Sequence, residues 1–348
     1  MVRRKYFFLL SGEYETLPLA ELRSVLRTLD PMCRIAETSS GRVVIAETFE
    51  EAAKNAVERA AYTKLCCLLG SRTETREETI LESVNEKLLE DVLPSNASNF
   101  AVRGKRIRGV QIDRLKLEKA IGSKVLKLKP HLRVDLESPQ VILFFLSDLE
   151  ETFIGRLVHA KPKHFFSNRI AGKRPFTLPS AMQPDFSRAM VNLAEVEPGG
   201  RILDPFAGTG GIMIEAGLLG YEIYGVEFKD WIAEGGLRNL KKYIPGEDFM
   251  IVGDARALMF REEAFHAVVT DPPYGRSTTI PDRSIADLLA KFFTECKRIL
   301  RKKGRIVMAV PLEIDLEEIV NSHGLRILQT HFAKVHGSLV RKVVVLET

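Results

Sequence analysis

The second half of the sequence alternates short apolar runs with segments of helical periodicity, and this alternation restricts the fold more than any other feature. The apolar runs lie at residues 201–203, 222–226, 249–252 and 265–270, and helical patterns separate most of them. Strands and helices that alternate in this way form a largely parallel sheet with helices on both faces. We therefore predict a Rossmann-like α/β domain over residues 180–348.

Four successive predicted strands each end at or near an acidic residue. These residues are Asp204, Glu227, Asp254 and Asp271. In an open α/β sheet, ligands bind in the crevice outside the carboxyl ends of the strands. We therefore expect the four acids to line one binding site.

The first of these acids opens a glycine-rich loop, residues 204–211, between a strand and a helix. Glycines let the backbone approach a ligand closely, and the candidates for that contact are Gly208, Gly210 and Gly211. Glu227, at the end of the next strand, is placed to accept both ribose hydroxyls of a nucleoside. Asp254 can accept a hydrogen bond from an adenine amine. The pattern predicts a cofactor that contains adenosine.

A dinucleotide cofactor is the main alternative, and two features of the loop disfavour it. In the G-x-G-x-x-G fingerprint of dinucleotide sites, the third glycine would fall at Met213. A carboxylate at Asp204 would also repel a pyrophosphate, whereas it suits the ammonium group of a methionine moiety. The loop therefore favours S-adenosylmethionine as the cofactor.

The fourth acid begins the motif Asp271-Pro272-Pro273-Tyr274-Gly275. Proline fixes φ and carries no N–H, so the backbone carbonyls of this motif have little freedom. The Asp271 carboxylate and the Pro272 carbonyl can accept the two hydrogens of a planar amine, and the Tyr274 ring can stack on its heterocycle. A solvated turn is the simpler alternative. We interpret these three residues as the catalytic group of an enzyme that methylates an exocyclic base nitrogen.

The basic residues of the chain are concentrated in one segment. Residues 101–175 contain 17 Lys or Arg residues but only 7 Asp or Glu residues. A basic segment on an otherwise mildly acidic protein is typical of a partner with a phosphate backbone, although a scattered solvated surface would give a similar count. The candidate RNA-binding residues are Arg103, Lys105, Arg106, Arg108, Lys124, Lys127 and Lys129.

The sequence before residue 180 divides into three further parts. Residues 1–70 have the order β-α-β-β-α-β, which predicts a ferredoxin-like domain. Residues 71–160 resemble a THUMP domain, a module of RNA-modifying enzymes, most visibly in the stretch 132–139. Residues 161–179 are rich in Lys, Arg, Pro and Phe and are predicted to be a linker.

The whole chain resembles the archaeal tRNA guanosine-10 N2-methyltransferases, which carry a DPPY-type catalytic domain. The resemblance rests on residues 204–216, on the motif that begins at Asp271, and on residues 178–194. It implies that the enzyme transfers one or two methyl groups from S-adenosylmethionine to N2 of guanosine at tRNA position 10. Three alternatives stay open: another tRNA or rRNA site, DNA as the substrate, and an RNA-binding protein without activity.

Several other classes of protein are disfavoured by composition. The four cysteines, Cys33, Cys66, Cys67 and Cys296, form no C-x-x-C pair and no zinc-site spacing, so we expect no metal. The apolar runs are too short to span a bilayer, and the first residues do not form a signal peptide. We expect a cytoplasmic protein that binds tRNA, has no membrane partner and needs no obligate protein partner.

Overall fold

The computed structural model describes residues 2–38, 40–246, 249–273, 285–336 and 339–348. These residues form two compact units. The first comprises Met1–Ser11, Leu29–Glu58 and Thr63–Lys161, and the second comprises Gly12–Thr28, Arg59–Tyr62 and Pro162–Thr348. Each unit is built around its own sheet. Among the described residues, no helix has the length and apolar character needed to cross a membrane.

The first unit contains one sheet of eight strands in the order β2-β3-β1-β4-β8-β7-β5-β6. The strands are β1 (Arg4–Leu10), β2 (Arg34–Glu37), β3 (Val43–Thr48), β4 (Thr63–Glu74), β5 (Asn99–Arg106), β6 (Arg133–Val134), β7 (Val141–Ser147) and β8 (Glu151–Ala160). Its helices are α2 (Glu50–Arg59), α3 (Glu77–Ser83), α4 (Glu86–Val92) and α5 (Arg114–Leu128). The chain order β1, α1 (Leu17–Leu29), β2, β3, α2, β4 agrees with the predicted ferredoxin-like order.

Strand β4 joins the two regions that were expected to be separate domains. It runs from Thr63 to Glu74, so the expected boundary between residues 70 and 71 falls inside this strand. It pairs with β1 on one side and with β8 on the other. Side chains from both halves of the sheet, among them Phe7, Phe144 and Phe153, also share one hydrophobic cluster. The ferredoxin-like and THUMP-like regions therefore fold around a common core.

The second unit contains a sheet of seven strands in the order β11-β10-β9-β12-β13-β15-β14. The strands are β9 (Arg201–Asp204), β10 (Glu222–Glu227), β11 (Met250–Val252), β12 (Phe265–Thr270), β13 (Leu300–Pro311), β14 (Arg326–His336) and β15 (Leu339–Glu347). The helices after residue 180 are α6 (Pro184–Leu193), α7 (Gly211–Leu218), α8 (Asp230–Tyr243), α9 (Ile285–Ile299) and α10 (Glu317–Ser322). Strand β15 is antiparallel to both of its neighbours and the other pairs are parallel.

Helices cover both faces of this sheet, as the alternating pattern predicts. Val269 and its neighbours on one face pack with α6 and α7, whereas Val268 on the other face packs with α9. Adjacent strand residues point to opposite faces, which explains why Val268 and Val269 belong to different hydrophobic clusters. The predicted Rossmann-like architecture is confirmed.

Helix α1 contributes to the second unit although it comes from the N-terminal part of the sequence. The buried carboxylate of Glu21 accepts hydrogen bonds from the backbone N–H groups of Ala61 (2.6 Å) and Tyr62 (2.9 Å). It also accepts one from Asn192 Nδ2 in α6, at 2.7 Å. One buried side chain therefore ties three distant parts of the sequence together.

We expect Glu21→Ala to lower the free energy of unfolding of the second unit by about 1–3 kcal/mol, because it leaves buried donors unpaired. Chemical denaturation of the full chain, followed by the fluorescence of Trp231, would measure the loss. Glu15→Ala removes an exposed glutamate from the segment just before the helix and serves as the matched control. Equal stability of the two variants would contradict the role given to Glu21.

The predicted linker also packs within the second unit. Arg169 donates to Glu215 Oε1 of α7 at 2.6 Å, and the backbone of Phe176 exchanges hydrogen bonds with Asn239 of α8. Arg188 of α6 donates to the other oxygen of Glu215, at 2.8 Å. The residues after Pro162 therefore support the two helices that flank the glycine-rich loop.

Candidate active site

Three acidic residues lie at the carboxyl edge of the second sheet. Asp204 is the last residue of β9, Glu227 is the last residue of β10, and Asp271 follows β12 directly. They are close enough to interact electrostatically, since the charges of Asp271 and Glu227 both contribute to a raised pKa at Asp204. An edge that collects negative charge in this way is suited to a cationic ligand.

Asp204 is the most buried of the three, with 3% of its surface exposed. Its Oδ1 accepts hydrogen bonds from the Thr270 hydroxyl at 2.7 Å and from the Phe206 backbone N–H at 3.2 Å. Burial is the main cause that raises the pKa of Asp204 to about 7. A carboxylate held so far from solvent gains most when a cation binds beside it.

The glycine-rich loop depends on its glycines for two different physical reasons. Gly208 and Gly210 have φ angles of +51° and +77°, which residues with a side chain rarely adopt. At Gly211, a Cβ would lie 2.9 Å from Nη1 of Arg174. A residue with a side chain at this position would therefore require the end of the Arg174 side chain to shift. Direct contact of the three glycines with the cofactor stays a prediction.

Glu227 connects the end of β10 to this loop. Its Oε2 accepts a hydrogen bond from the backbone N–H of Gly208, and its Oε1 accepts one from the backbone N–H of Lys229, both at 3.0 Å. Each carboxylate oxygen has further lone pairs. The fixed carboxylate can therefore still accept hydrogen bonds from a ribose diol.

We expect Glu227→Ala to weaken the binding of S-adenosylmethionine by about 1–3 kcal/mol, the usual cost of leaving polar partners unpaired. Isothermal titration calorimetry of the full chain would measure the affinity. Glu222→Ala removes an exposed glutamate from the first position of the same strand and is the control. An unchanged affinity in the first variant would mean that Glu227 does not hold the ribose.

Asp254 has a partner that sequence patterns did not predict. Both of its carboxylate oxygens accept hydrogen bonds from Arg256, the closest at 2.6 Å. Its contact with an adenine amine stays a prediction, and the ion pair with Arg256 would share that carboxylate.

The sequence analysis also missed Phe228, which follows Glu227 directly and is 66% exposed. An exposed aromatic ring beside a nucleoside site can stack on a base.

Asp271 forms an ion pair with an arginine of β15, a strand that β13 separates from β12 in the sheet. Its Oδ2 lies 2.5 Å from Nη1 of Arg341 on β15, and about one fifth of each side chain is exposed (21% and 20%). Burial raises the pKa of Asp271, and the charge of Arg341 opposes that rise. Pro272 is buried beside it. Tyr274 lies outside the described residues, so its stacking role stays a prediction.

Most of the candidate RNA-binding residues already have partners within the first unit. Arg103 donates to the carbonyl of Leu136 and Arg106 to that of Ile112. Lys124 donates to the carbonyl of Leu81, and Lys129 pairs with Glu90 at 3.6 Å. Arg108 and Lys127 are exposed and are accessible to a ligand.

Lys105 belongs to a group of cations that the sequence does not bring together. Burial lowers its pKa, and the nearby charges of Lys64 and Arg42 lower it further. Lys64 is on β4, Lys105 is on β5, and Arg42 precedes β3. Lys64 and Arg42 fall outside the basic segment 101–175, so no pattern of composition could have identified them. Cations that repel one another at short range gain when a phosphate lies between them.

In the part of the chain that the structure describes, no group of three or more His, Cys, Asp or Glu residues is arranged to hold a metal ion. The acids at the sheet edge accept hydrogen bonds from hydroxyl, backbone and arginine donors.

Models of two known protein families match different parts of the chain. A model described as an RMKL-like methyltransferase domain matches residues 171–343. A model described as a THUMP domain matches residues 74–154. The solved structure of TrmN from Thermus thermophilus has the same fold, with a TM-score of 0.54, 22% identity, and coverage of 99% of this chain and 100% of that one.

Two curated proteins are similar over most of their length. The tRNA (guanine(10)-N2)-dimethyltransferase of Methanothermobacter thermautotrophicus is 34% identical over 342 residues, which is 97% of this chain and 98% of that protein. The protein of the same name from Pyrococcus abyssi is 34% identical over 283 residues, which is 80% of this chain and 82% of the relative.

Proposed function

Because the chain belongs to the family of tRNA (guanine(10)-N2)-dimethyltransferases, we propose that it transfers methyl groups from S-adenosylmethionine to N2 of guanosine 10 in tRNA. The position of Asp271 carries this proposal. Its carboxylate follows β12 at the same sheet edge as Asp204 and Glu227, where a cofactor and a target amine would meet. We further propose that the chain works in the cytoplasm without an obligate protein subunit.

The residues at the sheet edge fit the predicted cofactor. Asp204 is suited to its ammonium group because a buried carboxylate favours a cation beside it, and Glu227 is suited to the ribose hydroxyls. When bound, S-adenosylmethionine supplies the methyl group: its C–S bond breaks as the N–C bond forms, and its sulfonium becomes a neutral thioether. The protein contributes position and charge, and no covalent step on a side chain is needed.

Asp271 acts on the target amine. The lone pair of guanine N2 is delocalised into the ring, so the nitrogen must be held in a geometry that frees the pair. A carboxylate that accepts an N–H bond holds the amine and stabilises the positive charge that the nitrogen gains. After methyl transfer that nitrogen loses one proton to water. The guanine must first leave its stack in the RNA, and Tyr274 is the residue that we propose to receive it.

The product of the first transfer can react again. Its N2 keeps one hydrogen, which is enough for a single hydrogen bond to Asp271. The relatives are named dimethyltransferases, which supports a dimethylated final product. Liquid chromatography with mass spectrometry of the nucleosides would separate the two products and follow their order of appearance.

The test is a methylation assay with the purified chain and an unmodified tRNA transcript. We expect N2-methylated guanosine at position 10, and no product from a transcript that carries adenosine there. Methylation of that second transcript at another guanosine would favour a different tRNA site. Reaction with ribosomal RNA or DNA but not with tRNA would assign another substrate, and no reaction with any of them would indicate a binding protein.

The cations of the first unit give a prediction about tRNA binding. If Lys64 and Lys105 each neutralise a phosphate, then replacing either with alanine should lower the slope of log K against log salt by roughly one unit or slightly less. Lys87→Ala, which removes an exposed lysine of α4 in the same unit, should leave the slope unchanged. Fluorescence anisotropy with labelled tRNA over a salt series would measure it. Equal slopes for all three variants would contradict a phosphate site at Lys64 and Lys105.

A further inference from the structure

We propose that Arg341 is a positioning residue for the reaction, holding one oxygen of Asp271 so that the carboxylate stays charged and presents its other oxygen to the target amine. This inference rests on the proposed function. Arg341 lies outside every motif of the sequence analysis. Its role follows from where β15 places it.

The sheet topology brings Arg341 to the active edge. Strand β13 lies between β12 and β15, and its last residue, Pro311, pairs with Arg341. Because β15 is antiparallel, its beginning lies at the carboxyl end of β13. The long arginine side chain can thus cross the end of one strand and reach Asp271, with Nη1 2.5 Å from Oδ2.

The contact uses one carboxylate oxygen and leaves the other. The Oδ2 of Asp271 accepts from Arg341, and a carboxylate has about four lone-pair positions on its two oxygens. Oδ1 can therefore accept an N–H bond from the amine. A planar guanidinium holds the carboxylate in a fixed orientation better than an ammonium group does. Arg341 in this way sets the direction from which Asp271 meets its target.

The ion pair also decides the charge of Asp271. Asp204 of β9, Glu227 of β10 and Arg341 of β15 are charged groups at this edge. Burial favours the protonated form of Asp271, and the charge of Arg341 opposes it. Lys342, the next residue on β15, directs its Nζ to the carbonyl of Ile314 instead. Among the residues that the structure describes, Arg341 is therefore the cation whose charge compensates that of Asp271.

A carboxylate paired with arginine is a hydrogen-bond acceptor and a weak base. It can hold the amine N–H without removing the proton before the methyl group arrives. Protonation of Asp271 would convert that acceptor oxygen into a donor, which cannot hold an N–H. Loss of Arg341 should therefore act on the reaction through the charge of Asp271, and the effect should depend on pH.

The experiment compares Arg341→Met and Arg341→Lys with the native chain, using the tRNA transcript across a pH series. For Arg341→Met we expect kcat to fall roughly 10–100-fold at neutral pH and the acidic limb of the rate profile to move to higher pH by about one unit or more. The KM for tRNA should change little, and Arg341→Lys should recover part of the rate. Arg326→Met, which breaks an exposed ion pair with Glu347 on the same sheet, should change neither.

A double variant separates positioning from general structural support. If Arg341 acts through Asp271, then adding Arg341→Met to Asp271→Asn should cause little further loss of activity. An unchanged acidic limb in Arg341→Met, or losses that multiply in the double variant, would overturn the proposal. Should Arg341→Met fail to fold, the same two comparisons with Arg341→Lys decide the question, with a smaller expected shift.

A measurement without cofactor or tRNA distinguishes failure of this inference from failure of the proposed function. Arg341→Met leaves an unpaired and largely buried carboxylate, so its melting temperature at pH 8 should fall, and adding Asp271→Asn should restore it. If that rescue occurs but the native chain does not methylate tRNA, the proposed function fails while the pairing stands. If no rescue occurs, Arg341 does not balance the charge of Asp271.

Discussion

Replacing Asp271 with alanine is expected to abolish methyl transfer while the affinity for S-adenosylmethionine stays within about twofold of the native value. The reason is that we propose the carboxylate to face the target amine, and Asp204 and Glu227 to hold the cofactor. Loss of a group that stabilises charge or holds a proton in the transition state typically lowers a rate by about 10²–10⁴. Asp271→Ala should therefore be nearly inactive and yet bind the cofactor.

Calorimetry and a labelled-methyl assay on the same preparation would check both halves of this expectation. Asp315→Ala, which removes an exposed aspartate before α10, is the matched control and should retain full activity. Normal turnover by Asp271→Ala would refute the mechanism. Loss of cofactor affinity together with activity would instead show that Asp271 belongs to the cofactor site.

Replacing Asp204 with asparagine is expected to weaken cofactor binding strongly and to stabilise the unliganded chain above neutral pH. Burial raises the pKa of Asp204 from 3.8 to about 7. The folded state therefore binds a proton more tightly than the unfolded state does. The resulting stability is complete below pH 3.8 and is lost as the pH rises through about 7.

The size of this stability effect follows from the same shift. A rise of about three pKa units corresponds to roughly 4 kcal/mol lost above pH 7, which the uncharged asparagine does not lose. Urea unfolding of the cofactor-free chain at pH 5 and pH 8 should show a gain for Asp204→Asn that is larger at pH 8. Thr270→Val, which removes only the hydroxyl donor to Asp204, should not produce a gain that grows with pH. If Asp204→Asn gains the same free energy of unfolding at both pH values, then Asp204 does not carry a buried charge at pH 8.

The cofactor half of this expectation has a separate measurement. Asparagine keeps an oxygen for the Thr270 hydroxyl and the Phe206 N–H but has no charge to offer an ammonium group. Loss of a charged hydrogen-bond partner costs about 1.5–3 kcal/mol, which calorimetry at pH 8 would detect as a weaker affinity. If Asp204→Asn binds the cofactor with native affinity, then Asp204 does not contribute to cofactor binding.

Some features of the site could be predicted from the sequence because they depend on short stretches of chain. A strand that ends in an acid, as β10 ends in Glu227, can be recognised from local periodicity alone. The glycine-rich loop of residues 204–211 is local in the same sense, since a positive φ at Gly208 and Gly210 is a property of single residues. The order of helices and strands in the second unit follows from such signals.

The partners of these residues could not be predicted, because they come from distant parts of the chain. Arg341 is 70 residues from Asp271 in sequence, and β13 lies between their strands. Asp254 is predicted to contact adenine, and the structure adds Arg256 as a partner that shares its carboxylate. A side chain's partner depends on which strands become neighbours, and local periodicity carries no information about that.

The boundaries of the two folded units show most clearly which features the sequence predicts and which depend on the tertiary structure. Sequence periodicity predicted the ferredoxin-like region and the Rossmann-like domain, because each pattern reports which face of a local element is apolar. The THUMP-like region was indicated by its resemblance to a known module. Only the tertiary structure decided that β4 joins the first two regions in one sheet and that helix α1 belongs with the third. Glu21 and Asn192 are 171 residues apart, and the hydrogen bond between them exists only because burial brings these two polar groups together and leaves them no water as a partner.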